Sequence, residues 1–268
     1  MATESQTKAL ALVDDFRTHT VGVWPNLDRA KVADGLVDRI NNSVNVSSSG
    51  SSLCGPAAFI QEIAKTDPEA YVKAAISLYD TGVATIKSLT IKSTSTFRST
   101  ALPANNAAVD WLVLGSLRDS DNWLFTYKQT GHWWDDVKAI TLPHSVADWM
   151  TKFGYTDVHN ETNLLLTKDW DNVVEANKYF AKGYKVSLFI AADMLNSGKQ
   201  ENFSAVPDHW VGMASSCTLS AIQADPAAQI SLSVYSWAAL QTVPADKSKP
   251  MHPKVFLRNY YGYVAGKP

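Results

Sequence analysis

The chain has little cysteine and no long apolar run, and its charges nearly balance. Two cysteines among 268 residues argue against a disulfide framework, and a chain of this length can build its core without one. No stretch of the sequence is apolar enough to span a bilayer. The 24 Lys and Arg residues are scattered among 26 Asp and Glu, so we expect no phosphate-binding surface and no nucleic-acid partner.

Two further absences concern metals and targeting. Ligand spacings such as Cys-x-x-Cys or His-Glu-x-x-His do not occur, so no metal and no cofactor is predicted. The apolar stretch at residues 9–13 is too short for a secretory signal, which leaves a cytoplasmic protein or export by a route that reads no such signal. A content of 46% hydrophobic and 19% charged residues is typical of a soluble enzyme.

The most informative motif is Leu53-Cys54-Gly55-Pro56-Ala57, where a serine-rich loop (47–52) turns into an apolar helix. The positive end of a helix dipole stabilises a thiolate, and proline is tolerated in a first turn. Gly55 would let another group approach the sulfur closely. The sequence therefore predicts a nucleophilic thiol at Cys54, the alternative being a buried cysteine that begins an ordinary core helix.

A thiolate nucleophile needs a base, and His209 is the best candidate. There a turn runs into an apolar strand, and the alternating run 230–237 predicts a second strand antiparallel to it. This pairing would place Ser236 beside His209 as a hydrogen-bond partner and Trp237 as an apolar lid. Cys217 is expected to be a packed thiol. The other histidines are expected to be solvated or structural: His19, His132, His144, His159 and His252.

Three segments in this order, Leu53-Cys54-Gly55-Pro56, His209-Trp210-Val211 and Tyr235-Ser236-Trp237, resemble papain-like cysteine peptidases, closest to the bacterial C39-like and effector-type branch. The resemblance implies one α+β catalytic domain over residues 1–268. A helical lobe (about 1–182) would carry the nucleophile helix and pack on an antiparallel sheet lobe (about 183–268). It also implies Cys54 as nucleophile, His209 as base, and an orienting residue, for which Ser236 is the first choice and Tyr235 the second.

The chain departs from the family pattern at two positions. The family usually has a glutamine about six residues before the cysteine as oxyanion donor, and Ser48 stands there. Ser48, Asn45 or backbone N–H groups would have to serve instead. The third residue is uncharged, so a Cys-His dyad is as plausible as a triad. Both departures leave open a weakened or inactive descendant.

The resemblance implies a peptidase or amidase acting on a protein or peptide. Glutamine deamidation and acyl transfer are alternatives that share the thioester intermediate. Among effector-type relatives, a secreted bacterial toxin with an immunity or inhibitor protein is the natural setting. Two alternatives come from other classes: a non-catalytic binding module that keeps the cleft, and a structural domain whose Trp-rich segment (102–149) makes contacts. Within that segment, residues 131–136 could form a groove wall.

Periodicity and capping signals predict the elements around these motifs. Helices are expected at 27–40, from Asp67-Pro68 to about Tyr79, at 145–153 and at 169–180. Strands are expected at 184–190 and, closing the chain, at 255–264.

Overall fold

The computed structural model describes residues 2–48, 53–121, 140–196, 199, 207–221, 223 and 225–268. The chain divides into two compact units, Met1–Thr141 and Leu142–Pro268. The fold is α+β, as predicted, and its larger sheet is antiparallel. The residues from 142 to about 182, assigned to the helical lobe from sequence, belong to the second unit.

The first unit is mainly helical. Its helices and strands are α1 (Glu4–Phe16), α2 (Arg29–Asn41), a 3-10 turn (Ser43–Asn45), α3 (Cys54–Thr66), α4 (Pro68–Thr81), β1 (Val83–Ile86), β2 (Leu89–Lys92), α5 (Ser95–Arg98), α6 (Ala108–Asp110), a π-helical turn (Trp111–Gly115) and α7 (Ser116–Asp121). Helix α1 packs on α2 and α4, and α3 packs on α4 and on the 3-10 turn. The hairpin of β1 and β2 was not predicted.

Side-chain caps set the helix starts of this unit. The Thr3 hydroxyl accepts from the Gln6 backbone N–H, and the Gln6 side chain accepts from the Thr3 N–H, which is a capping box. Asp28 caps α2. Asp67 caps α4, whose first residue is Pro68, as the sequence predicted. Gly82, with φ at 77°, ends α4 in a left-handed conformation that glycine adopts at little cost.

The second unit is built on the antiparallel sheet. Its helices and strands are α8 (Pro143–Lys152), β3 (Thr156–Asn160), α9 (Trp170–Ala181), β4 (Lys185–Ile190), a 3-10 turn (Ala192–Leu195), β5 (His209–Met213), β6 (Thr218–Leu219), β7 (Ile230–Ser236), β8 (Ala239–Val243), α10 (Pro253–Leu257) and β9 (Tyr260–Lys267). The strand order is β3-β9-β4-β5-β7-β6, with β8 also paired to β7. One face of the sheet packs with α9 into an apolar core that includes Val211, Leu188 and Tyr263.

Most of the predicted elements are present with small shifts at their ends. The antiparallel pairing of the His209 strand with the 230–237 run is confirmed, since Gly212 lies opposite Tyr235. The two strands are neighbours in the sheet but do not form a direct hairpin, because the chain passes through β6 between them. The prediction of a continuous closing strand over 255–264 was wrong. Pro253 begins a short helix capped by His252, and the strand starts only at Tyr260.

Candidate active site

Cys54 is the first residue of α3, as the sequence predicted, and its side chain is buried. The N-cap residue is Leu53, which offers no side-chain cap. Caps are present at the start of four other long helices, from Thr3, Asp28, Asp67 and Asp169. A helix start without a side-chain acceptor keeps the positive end of its dipole available to an anion such as a thiolate.

Position 55 requires glycine because a side chain of the first unit lies against it. A Cβ at this position would lie closer than 3.0 Å to atoms of the Thr141 side chain, which is itself fully buried. Thr141 therefore lies against the residue next to Cys54, and a close approach to the Cys54 sulfur itself stays a prediction.

The two candidate oxyanion donors lie in and just after the 3-10 turn that packs on α3. The Asn45 Nδ2 group donates to both carboxylate oxygens of Asp38, each at 2.9 Å, and the Asn45 Oδ1 accepts from Asn42. The amide of Asn45 is therefore engaged in holding the turn. Ser48 is buried, with 5% of its surface exposed.

His209 is the first residue of β5 in the second unit, and only 5% of its surface is exposed. Its Nε2 and the Ser236 Oγ are hydrogen-bonded at 2.6 Å, so the predicted proximity of these two residues is confirmed. Burial lowers the pKa of His209 to about 4, so the imidazole is neutral near neutral pH. His209 lies on the same sheet face as Val211, a residue of the apolar core.

Trp237 covers the His209 ring and belongs to a tight turn. The two rings stack with centroids 4.8 Å apart, and 40% of Trp237 is exposed. Ser236 pairs with Ala239, so Trp237 and Ala238 alone form the turn between β7 and β8. Their φ values are 49° and 58°, the pattern of a type I′ turn, which asparagine and glycine normally occupy. Left-handed backbone in other residues costs about 1–2 kcal/mol each and is often kept at functional sites.

The remaining candidates occupy less suitable positions. Tyr235, the alternative orienting residue, lies opposite Gly212 and on the other face of the sheet from Ser236. Burial raises the pKa of the Cys217 thiol to about 12, which agrees with the prediction of a packed thiol. Both cysteines are thiols rather than half-cystines.

The structure thus joins His209 to Ser236 and Trp237 within one unit, while Cys54, Ser48 and Asn45 belong to the other. The expected groove wall at 131–136 and His132 lie outside the described residues, as does most of the serine-rich loop. Sequence reasoning missed Asp110, whose carboxylate contacts the Ser47 N–H. The available signal was a lone carboxylate in the apolar run 107–117, because a buried charge requires a partner.

Comparisons with known proteins add no assignment. No family model, no curated protein and no solved structure matches this chain. Among the described residues, no group of three or more His, Cys, Asp or Glu side chains is arranged to hold a metal ion. No helix in the described ranges has the length and apolar character needed to cross a membrane.

Proposed function

We propose that this protein is a thiol-dependent hydrolase of the papain-like type, a peptidase or amidase in which Cys54 is the nucleophile and His209 the base. The observation that carries the proposal is the 2.6 Å hydrogen bond between His209 Nε2 and Ser236 Oγ beneath the Trp237 ring. Nucleophilic catalysis by a thiol uses a base that is oriented by a third group. The position of Cys54 at the start of α3 supports its role as nucleophile, because a helix start favours a thiolate.

The proposal gives a separate task to each imidazole nitrogen. It takes the tautomer in which Nε2–H donates to Ser236 Oγ, so that Nδ1 carries the lone pair that accepts the proton of the Cys54 thiol. The thiolate then attacks the substrate carbonyl carbon, and the C=O π electrons move to the oxygen. When the tetrahedral intermediate collapses, the C–N bond breaks and the Nδ1 proton passes to the leaving amine. Water activated by the same imidazole hydrolyses the thioester and restores the thiol.

A neutral imidazole suits the first of these steps. Because burial lowers the pKa of His209 to about 4, the ring is an available but weak base near neutral pH. Ser236 carries no charge to stabilise an imidazolium, so the resting pair is thiol and neutral imidazole rather than an ion pair. Developing negative charge on the substrate oxygen would be met by Ser48, which stands where the resembling family usually has its oxyanion donor.

The same thioester supports glutamine deamidation or acyl transfer, depending on whether water or another nucleophile resolves it. On the resemblance to effector-type peptidases, a protein or peptide is the proposed substrate. Secretion as a toxin and neutralisation by an immunity or inhibitor protein belong to the same proposal.

A non-catalytic binding module is the second candidate, and the burial of His209 favours it. Its ring shares a sheet face with Val211 and has one hydrogen bond, to a neutral hydroxyl, among the described contacts. A core histidine satisfied by a serine would have the same features.

The discriminating experiment is the pH dependence of alkylation by iodoacetamide in the full chain, with labelling mapped to the two cysteines. Cys54 should be labelled rapidly near neutral pH, because the neutral His209 imidazole would remove the thiol proton as the sulfur attacks. The labelling rate should therefore fall only toward the pKa of His209, about 4. His209→Gln should abolish the rapid phase, and Ser236→Ala should slow it by freeing the ring. Cys217→Ser and His144→Gln are the matched controls, and both should behave as wild type.

Slow labelling of Cys54 that does not respond to His209→Gln would exclude the thiol hydrolase and favour the binding module. Rapid labelling that survives His209→Gln would keep the nucleophile but overturn the role given to His209. Circular dichroism of each variant checks that the fold is retained.

A further inference from the structure

A buried ion pair in the first unit bears directly on the segment that precedes Cys54. Asp110, the last residue of α6, is 1% exposed. Its Oδ2 accepts from Arg39 Nη2 at 2.6 Å and its Oδ1 from Arg39 Nε at 3.3 Å. Oδ2 also accepts from the backbone N–H of Ser47 at 3.1 Å. One buried carboxylate therefore joins α2 to the chain segment that carries Ser48.

A second set of hydrogen bonds ties the same segment to this group of charges. Arg39 Nη1 donates to Asp38 Oδ2 at 2.6 Å, and both Asp38 oxygens accept from the Asn45 amide. Residues 45 and 47 are thus each bonded to one member of the cluster Asp38, Arg39 and Asp110, which we call the acidic clamp. The 3-10 turn between α2 and this segment packs on α3, the helix that begins at Cys54.

Stability alone is a weak explanation for such a cluster. Removing a carboxylate and a guanidinium from water costs several kcal/mol per ion, and well-packed apolar residues of similar volume are often as stable. The contact that an apolar pair could not replace is the charge-assisted hydrogen bond to Ser47 N–H, which fixes the orientation of that peptide group. A π-helical turn begins at the next residue, Trp111, and such turns are frequent at functional sites.

We propose that Asp110 is a positioning residue that holds the Ser47 peptide so that Ser48 faces the developing oxyanion. The inference rests on the proposed thiol chemistry, and Asp110 itself touches no reacting atom. Its effect is specific to reactions that pass through a tetrahedral intermediate.

The test removes the hydrogen bond between the acidic clamp and Ser47 and corrects for loss of the Ser47 hydroxyl with a matched control. Ser47→Pro deletes the N–H and leaves Asp110 and Arg39 in place, and Ser47→Ala is the matched control that keeps the N–H. Val46 has φ −58° and ψ 122°, the extended backbone that residues before proline prefer. If the proline variant does not fold, the α-hydroxy acid analogue of serine at position 47 replaces the N–H with an ester oxygen.

Two probes separate the oxyanion from the nucleophile. Acylation of Cys54 by p-nitrophenyl acetate forms a tetrahedral oxyanion, transfers the acetyl group to Sγ and releases p-nitrophenolate. Alkylation by iodoacetamide displaces iodide at an sp³ carbon and forms no oxyanion. We expect Ser47→Pro to lower the acylation rate by about tenfold to a hundredfold, since one oxyanion donor is worth about a hundredfold or more, while alkylation stays within about twofold.

Equal acylation rates in Ser47→Pro and Ser47→Ala, with wild-type alkylation, would overturn the role of Asp110 while leaving the thiol hydrolase intact. A parallel loss of alkylation and acylation would also overturn it, because the acidic clamp would then place Cys54 rather than the oxyanion donor. Slow alkylation of the wild type would instead overturn the proposed function on which the inference rests.

Discussion

The burial of His209 makes the stability of the protein depend on pH in a predictable direction. The ordinary histidine pKa is 6.5 and burial lowers that of His209 to about 4 in the folded chain. As the pH falls below 6.5 the unfolded chain takes up a proton that the folded chain resists, so stability is lost from there down to about pH 4. Each pH unit between the two values is worth about 1.4 kcal/mol, which gives a total loss of about 3 kcal/mol.

The perturbation that isolates this effect is His209→Gln. Between pH 7.5 and pH 5.5 the wild type should lose about 1 kcal/mol of unfolding free energy through His209. The variant lacks this term, and the other titrating groups are common to both proteins, so they cancel in the difference. Urea unfolding followed by circular dichroism at matched ionic strength measures it, and the histidine NMR resonances give the pKa directly.

His144→Gln is the control, because it removes an exposed imidazole from the same unit. It should reproduce the pH dependence of the wild type. A difference between wild type and His209→Gln that stays constant from pH 7.5 to 5.5 would refute the reasoning, since His209 would then titrate alike in the folded and unfolded chains. The same result would remove the support for a neutral His209 imidazole as the resting base.

Two predictions concern the backbone beside the candidate residues. Gly55→Ala should destabilise the protein by about 1–3 kcal/mol by overpacking against Thr141, and the double variant with Thr141→Gly should recover part of that loss in urea unfolding. No recovery would mean that Thr141 is not the obstructing group. Ala238→Gly should raise the unfolding free energy by about 0.5–1 kcal/mol, since glycine adopts a left-handed φ at little cost. Ala239→Gly, in strand β8, should lower it, and a loss at both positions would contradict the strained turn.

The sequence was most informative where local rules decide the structure. Asp67 followed by Pro68 predicted the start of α4, because a capping side chain and a proline act within one turn. The helix start at Cys54 followed from the change from a polar loop to an apolar run. The contact between His209 and Ser236 also followed from local patterns, since two alternating strands paired antiparallel bring the end of one beside the start of the other.

Prediction from the sequence was wrong where a helix-capping signal competed with an apolar strand pattern, and it missed a turn that carries no glycine or asparagine. An apolar, aromatic run predicted a closing strand from Val255, but Pro253 after the capping residue His252 starts a helical turn there. The turn at Trp237 and Ala238 contains neither glycine nor asparagine, so nothing in those residues predicts a left-handed backbone. Pairing of β7 with β8 imposes it.

Tertiary structure alone decided which polar groups are engaged. Asp110 meets Arg39 across 71 positions of sequence, and the side chain of Thr141 lies against Gly55, and no local propensity encodes either contact. The depth at which His209 is buried was also set by the packing of the sheet, and with it the protonation state of the proposed base. The amino-acid sequence by itself determined the residue types and the local elements that carry them. Burial and long-range contact determined their charge, their partners and their freedom to react, because both depend on residues distant in the chain.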